Sequence, residues 1–350
     1  MILPVLSRVT ATSPAPVSRR VLLALGTVTT AGGVAALSGC STAGGTAQAA
    51  STTPPASTST EAEEQAVAAV VAQVQALHTG ASNLAAGTLP NGATLRVPGA
   101  TARLLTRITA VHEAQLTALG SSAPTSTPTP TPTVTAEAEA GINSPGAQAT
   151  AEWKTARLAL TSAAGLSTAF ALLLYKIAAS CAANADLLRS ATKGRAFSTL
   201  TVLEEAGPQE EEPGLTDAEG EALNRLLAGE HAAFYAYPLV IAHIDKARQK
   251  VAGSVWAAHR QQRDELERLL MTAGQDPVES GAAYEVAAPA GAAKAAALAA
   301  TIERRLAGLA TDVIAAAETP QTGATAAGFL VVSTRRQAAW SNRPVAAPGA

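Results

Sequence analysis

Three side chains in the second half of this 350-residue chain have the types and the placement to do chemistry: Glu230, His259 and Glu303. Around Glu230, the residues Leu223, Leu226, Leu227, Phe234 and Ile241 recur at the helical period and share one face, with the glutamate in the middle of the stripe. A carboxylate in that position is costly unless a cation, a metal ion or a hydrogen-bond donor meets it. On the next apolar segment Val255, Leu266 and Leu269 form the inner stripe; His259 falls inside it with Gln262, and Arg263 sits at its edge. On a third, Leu298, Ile302, Leu306, Leu309 and Val313 face inward, and Glu303 lies about a quarter-turn off that line. Two chemistries fit these types. One is a metal ion held by carboxylate and imidazole; the other is a buried polar network in which Glu230 pairs with His259 or Arg263.

The elements that must position these residues read as helices almost throughout. Aromatic residues make up only 3 % of the chain, alanine and leucine dominate, and no alternating run of branched residues marks a strand. Thr60 with Glu63 forms a capping box that opens a helix, and Gly80 is expected to close it after Val67, Val70, Val71, Val74 and Leu77. Further helices are expected over 101–119, 147–164 and 167–190, the last two separated near Gly165. Thr216 with Glu219 is a second capping box, opening a helix to about residue 248, in which Pro238 removes an amide donor and is expected to kink the backbone. Helices over 253–273, 292–317 and 325–340 complete the series. The run from Leu158 to Tyr175 is uncharged, but Thr161, Ser162, Gly165, Ser167 and Thr168 dilute it, which favours a buried helix pair over a membrane span. Eight helices in two sets of four predict an all-α protein of two bundle-like halves. Each half has a histidine on its second helix, His112 and His259, without an alignment that joins the halves.

The segments Leu227–Tyr237 (Leu-Ala-Gly-Glu-His-Ala-Ala-Phe-Tyr-Ala-Tyr), Ala258–Leu266 (Ala-His-Arg-Gln-Gln-Arg-Asp-Glu-Leu) and Thr301–Leu306 (Thr-Ile-Glu-Arg-Arg-Leu) resemble the ferritin-like domain family of unknown function found in actinobacterial envelope proteins. The stretch 174–188 resembles the amino-terminal half that accompanies that domain in some members. The resemblance covers about residues 217–342 and implies a ferritin-like four-helix bundle with no established activity. Di-iron carboxylate bundles need a glutamate on each of two helices and a Glu-x-x-His on each of the other two. Here Glu230 and Glu303 stand for the lone glutamates and His259 for one histidine, but Trp256 occupies the position of its glutamate. The last helix offers only Ser333, Arg336, Gln337 and Trp340. Half the ligand set is missing, so the expectation is no cofactor, with a single transition-metal ion on Glu230, His259 and Glu303 as the alternative.

Other templates are absent. The sequence has no Gly-x-Ser-x-Gly, no phosphate-cradling glycine loop and no Cys-x-x-Cys. His78 and His112 read as core histidines, and His231 and His243 show no acidic neighbour at a helix-facing distance along their own helix.

At the amino terminus, Ser18-Arg19-Arg20 precedes a short apolar stretch that ends in Leu37-Ser38-Gly39-Cys40. The arginine pair resembles a twin-arginine export signal, and the last four residues resemble the lipobox of bacterial lipoproteins, whose cysteine becomes the lipidated first residue. The chain has only two cysteines, so a lipidated Cys40 leaves Cys181 without an intramolecular partner and reads it as a small buried hydrophobe. Basic and acidic residues number 25 and 27, and cleavage before Cys40 removes Arg8, Arg19 and Arg20 but no acid. With no basic block left, nucleic acid is not expected as a partner.

The organisation that follows is a signal peptide over 1–39 and a disordered tether over 40–60, where no large apolar side chain occurs. A helical half spans 61–195 with a Ser/Thr/Pro-rich insertion at 121–146. A Gly/Pro/Glu-rich linker over 196–216 leads to the ferritin-like domain at 217–342 and a tail at 343–350. The functional expectation is a lipid-anchored protein of the extracytoplasmic face of the cell membrane, with a non-catalytic binding or structural role toward an envelope protein or ligand that the sequence does not identify. The enzyme-class rival is a metal-dependent oxidoreductase using Glu230, His259 and Glu303.

Overall fold

Side-chain caps at Ser144, Thr216, Asp245 and Thr319 mark where four of the helices begin. The computed structural model describes residues 57–121, 141–194 and 214–350, and the chain divides into one unit over 1–53 and another over 54–350. The signal peptide, Cys40, most of the tether, most of the Ser/Thr/Pro-rich insertion and most of the 196–216 linker therefore lie outside the described residues. Among the described residues there are eight α-helices and no strand: α1 (Ser57–Ala86), α2 (Gly99–Ala118), α3 (Pro145–Ala163), α4 (Thr168–Ala191), α5 (Asp217–His243), α6 (Lys246–Thr272), α7 (Ala292–Ala316) and α8 (Pro320–Ser341).

The capping box at the start of α5 is complete. Glu219 donates its backbone N–H to the Thr216 hydroxyl, and its carboxylate accepts from the Thr216 N–H. The other oxygen of Glu219 accepts from the backbone N–H of Glu318, so the same side chain ties the start of α5 to the turn between α7 and α8. The helix expected to run on to residue 248 instead stops at His243. Asp245 caps a new helix, its carboxylate accepting from the Arg248 N–H, so α6 starts well before the expected 253. Pro238 lies inside α5 and does not end it.

The Thr60–Glu63 box is not the start of α1. That helix begins at Ser57, and the Glu63 carboxylate instead accepts from the backbone N–H of Ser167, just ahead of α4. Gly80 does not close α1 either. The helix continues to Ala86, and Gly80 is a point of close approach where an added Cβ would stand 2.7 Å from both Gln148 Oε1 and Ile142 Cγ2. The turn between α3 and α4 falls at Gly165, whose φ of +81° suits only a residue without a Cβ.

Within each half the packing repeats. Helix α1 packs on α2 and α3, and α3 on α4; in the same order α5 packs on α6 and α7, and α7 on α8. The halves meet through their fourth helices, α4 against α8, and one continuous core runs from Val70 and Leu105 in the first half to Leu226 and Leu330 in the second. Helix α4 sits at the centre: Ile177, Ala178, Ala179, Ser180, Cys181, Ala182, Ala183, Asn184 and Ala185 are all buried. It is long and apolar enough to cross a membrane by length and composition, yet 78 % of that apolar window is buried among its neighbours. A helix that is apolar all round belongs at the core of a helical body. The 343–350 tail also packs back: the Ser180 hydroxyl donates to the Val345 carbonyl at 2.6 Å, a bond that is fully buried. Beside it the Arg335 guanidinium grips Asp186 with two nitrogens, at 2.6 and 3.2 Å.

Replacing a helix-interior glycine by alanine ordinarily stabilises by about 1 kcal/mol. At Gly80 the sign reverses, because Gln148 is held by its own hydrogen bonds and Ile142 is buried. Gly80→Ala is expected to cost about 1–3 kcal/mol, read as a lowered midpoint in equilibrium denaturation.

Candidate functional site

Glu230 comes from the middle of α5, His259 from α6 and Glu303 from α7, and all three are fully buried. They meet. His259 Nδ1 lies 2.7 Å from Glu230 Oε2, and Nε2 lies 3.2 Å from Glu303 Oε1. A carboxylate at each ring nitrogen favours the imidazolium form, which can donate to both. The quarter-turn offset of Glu303 from the apolar line of α7 aims it at this ring rather than at solvent.

Two aromatic residues extend the network. The Tyr237 hydroxyl donates to Glu303 Oε1 at 2.5 Å, and the Trp340 indole N–H donates to the same hydroxyl at 3.1 Å. Tyr237 lies two turns past Glu230 on the same face of α5, and its ring tilts against that of His259 at 4.8 Å between centroids. Arg336 of α8 reaches in from the edge, 4.0 Å from Glu303 Oε2 and 2.9 Å from the Gln262 side-chain oxygen.

Arg263, expected as a partner of Glu230, does not enter. Its guanidinium lies over the Phe234 ring at 5.1 Å and bonds its neighbour Asp264, because its place at the edge of the α6 stripe turns it toward the surface. The charge expected from Arg263 comes from Arg336 instead. His231 also differs from its sequence reading, since Glu267 of α6 approaches it to 3.8 Å and the Val278 carbonyl to 3.2 Å.

The electrostatics follow from burial and pairing. Burial alone would lower the His259 pKa, but the hydrogen bonds and charges of Glu230 and Glu303 outweigh it and hold the imidazolium to about 9. Burial pushes Glu230 above the usual carboxylate range against the pull of His259. Burial, with the Glu303 charge, pushes the Tyr237 phenol well above its ordinary value. The cluster thus holds its proton more tightly than the separated groups would.

This donor set does not fit a di-iron centre. Glu230 and Glu303 bond opposite nitrogens of the His259 ring, so no single nitrogen faces both carboxylates and the three residues do not gather their donor atoms around one point. The position of the missing glutamate is filled by Trp256, which has a different task. Pro238 has no N–H to give to the Phe234 carbonyl one turn back, and the Trp256 indole N–H donates to that carbonyl at 2.9 Å. The Trp256 ring stacks on Phe234, 5.2 Å between centroids. On α8, Ser333 and Gln337 carry no charge to balance a second ion. Two oxygens, Glu230 Oε1 and Glu303 Oε2, have no hydrogen-bond partner. The cleft lined by Leu215, Leu223, Arg268, Thr272, Thr322 and Thr325 includes none of these residues.

The first half holds a second polar cluster that the sequence reading took for core. His112 of α2 lies with Nε2 2.7 Å from Glu152 Oε1 of α3 and Nδ1 2.9 Å from Gln115 Oε1. Gln148 donates to Glu152 Oε1 and to the Leu77 carbonyl, each at 3.1 Å. Cys181 of α4 completes the group. The signals that were available are the spacings His112–Gln115 and Gln148–Glu152, each placing two polar groups on one helix face.

Residues 222–350 match a family model described as a domain of unknown function (DUF4439). No curated protein matches the chain. Among solved structures it is similar to the crystal structure of a conserved hypothetical protein, rv2844, from Mycobacterium tuberculosis. The identity is 28 %, covering 37 % of this chain and 98 % of that one, with a TM-score of 0.36.

Two measurements test the network. Breaking a buried ion pair on one side costs about 3–5 kcal/mol, so Glu230→Leu and His259→Leu each destabilise by that order. The double variant is expected to recover at least about 2 kcal/mol relative to additivity, because Glu303 then keeps Tyr237 and Arg336. The second concerns pH. A histidine raised from 6.5 to about 9 contributes stability in full below pH 6.5 and loses it as pH climbs through 9. The raised Glu230 carries the same sign at lower pH. Unfolding free energy is therefore expected to fall by about 3 kcal/mol across that alkaline window, and the double variant is expected to be flat there.

Proposed function

We propose that this protein is exported and lipid-anchored through Cys40 at the extracytoplasmic face of the cell membrane, with a ferritin-like second half that acts in binding or structure rather than catalysis. The observation that carries the non-catalytic reading is the closed network at His259, where both ring nitrogens are bonded to carboxylates and every member of the Glu230–His259–Glu303 set is buried. Held between two carboxylates, the His259 ring serves in this network to meet buried negative charge. The Leu37-Ser38-Gly39-Cys40 sequence behind an arginine pair supports the anchor. Attachment by lipid leaves the helical body free of any need for a spanning segment, in keeping with an α4 that is mostly covered by protein.

The rival reading, a metal-dependent oxidoreductase, draws on Glu230 Oε1 and Glu303 Oε2, two buried oxygens without a hydrogen bond. The purified chain given ferrous iron is expected to consume no dioxygen beyond the uncatalysed rate. Oxygen uptake that Glu230→Gln abolishes would restore the oxidase. For the anchor, Cys40→Ser is expected to move the protein out of the membrane fraction or leave its signal uncleaved; unchanged fractionation and gel mobility reject lipidation.

A further inference from the structure

The buried cluster in the first half differs from the one at His259 in that its donor atoms gather around one point. At His259 both ring nitrogens meet carboxylates. At His112 only Nε2 does, while Nδ1 is held by the amide oxygen of Gln115 at 2.9 Å. That is the arrangement in which an imidazole presents one nitrogen to a metal and donates the other N–H to a supporting oxygen. Glu152 is supported too, with Oε1 taking the Gln148 amide while Oε2 is buried and has no partner. Cys181 comes from the central helix, and the donor atoms of His112, Glu152 and Cys181 all lie within 4.8 Å of one another, each residue fully buried.

An independent observation points to a missing occupant. Glu152 Oε2, Gln148 Oε1 and Gln115 Nε2 are all buried with no hydrogen-bond partner, and these three residues are joined to one another through His112 and Glu152. Buried polar atoms are almost always satisfied, so a cluster of orphans marks a place where a ligand belongs.

We infer that His112, Glu152 and Cys181 bind a single divalent ion of the zinc class. Imidazole, carboxylate and thiolate are the zinc ligand types, and a water oxygen completes four-coordination. Charge balance agrees: a divalent ion with one carboxylate, one thiolate and a neutral imidazole sums to zero, as a buried site requires. On binding, the Cys181 proton and any proton on His112 leave to solvent, and the ion replaces the direct His112–Glu152 bond. The ligands come from α2, α3 and α4, so the ion clamps three helices of the first half.

The test uses the full chain with Cys40→Ala, in which Cys181 is the only thiol, under reducing conditions. Cobalt(II) is expected to bind at one equivalent with a sulfur-to-cobalt charge-transfer absorption, displaced by zinc. Cys181→Ser is expected to lose that absorption, and Gln115→Leu to weaken cobalt binding about 10- to 100-fold. The Glu230→Leu/His259→Leu variant is expected to keep the absorption, which separates this site from the one in the second half. No charge-transfer absorption in the starting chain, or one that survives Cys181→Ser, overturns the proposal. Should Cys181→Ser fail to fold, the unsubstituted Cys181 chain decides: zinc is expected to slow maleimide labelling of Cys181 in mild denaturant and a chelator to reverse this, and equal labelling with and without zinc rejects the site.

Discussion

A histidine on the second helix of each half turns its Nε2 to a glutamate on the third, and this one contact sets the terms for both bundles. The distance is 2.7 Å for His112 and Glu152, and 3.2 Å for His259 and Glu303. In a body built largely from alanine and leucine, a buried carboxylate has few neighbours able to meet its charge. Each glutamate therefore links the second helix to the third, and the polar residues around it fall into place as supports. In the second half those supports are Glu230, Tyr237, Trp340 and Arg336; in the first they are Gln115 and Gln148. The shared order of helix packing gives the two histidines corresponding positions, a parallel that their sequences do not align to show.

The helical class, the complete capping box at Thr216 and the inward placement of Glu230 and His259 were legible because each rests on local pattern. A 3.6-residue stripe of leucines locates the face of α5, and a polar residue inside it stands out. Glu303 was harder, since its offset from the stripe takes meaning only from its reach to His259 on α6. Arg336 was illegible as a partner: α8 has a weak apolar stripe, and which of its cations reaches the core depends on how α8 lies against α6 and α7. Arg263 looked the better placed of the two until α6 turned it outward over Phe234.

The first half was read less well for a physical reason. Alanine is buried on nearly every side of α4, so no stripe distinguishes its inner face, and Cys181 reads as one more small residue. Gly80 misled in a similar way. A glycine near the end of a periodic run is commonly a C-cap, but here it admits Gln148 and Ile142 against the backbone of α1, a tertiary requirement with no local signature.

The indole at position 256 ties two helices together through the backbone. Its N–H covers the carbonyl that Pro238 leaves open, and its ring lies on Phe234, so three positions on two helices have become interdependent. A glutamate at 256 would strip the donor from that carbonyl while the proline stayed in place, so an amide would have to be supplied at 238 before 256 is free to change. Position 256 is thus constrained by an accommodation in the backbone rather than by the buried network beside it.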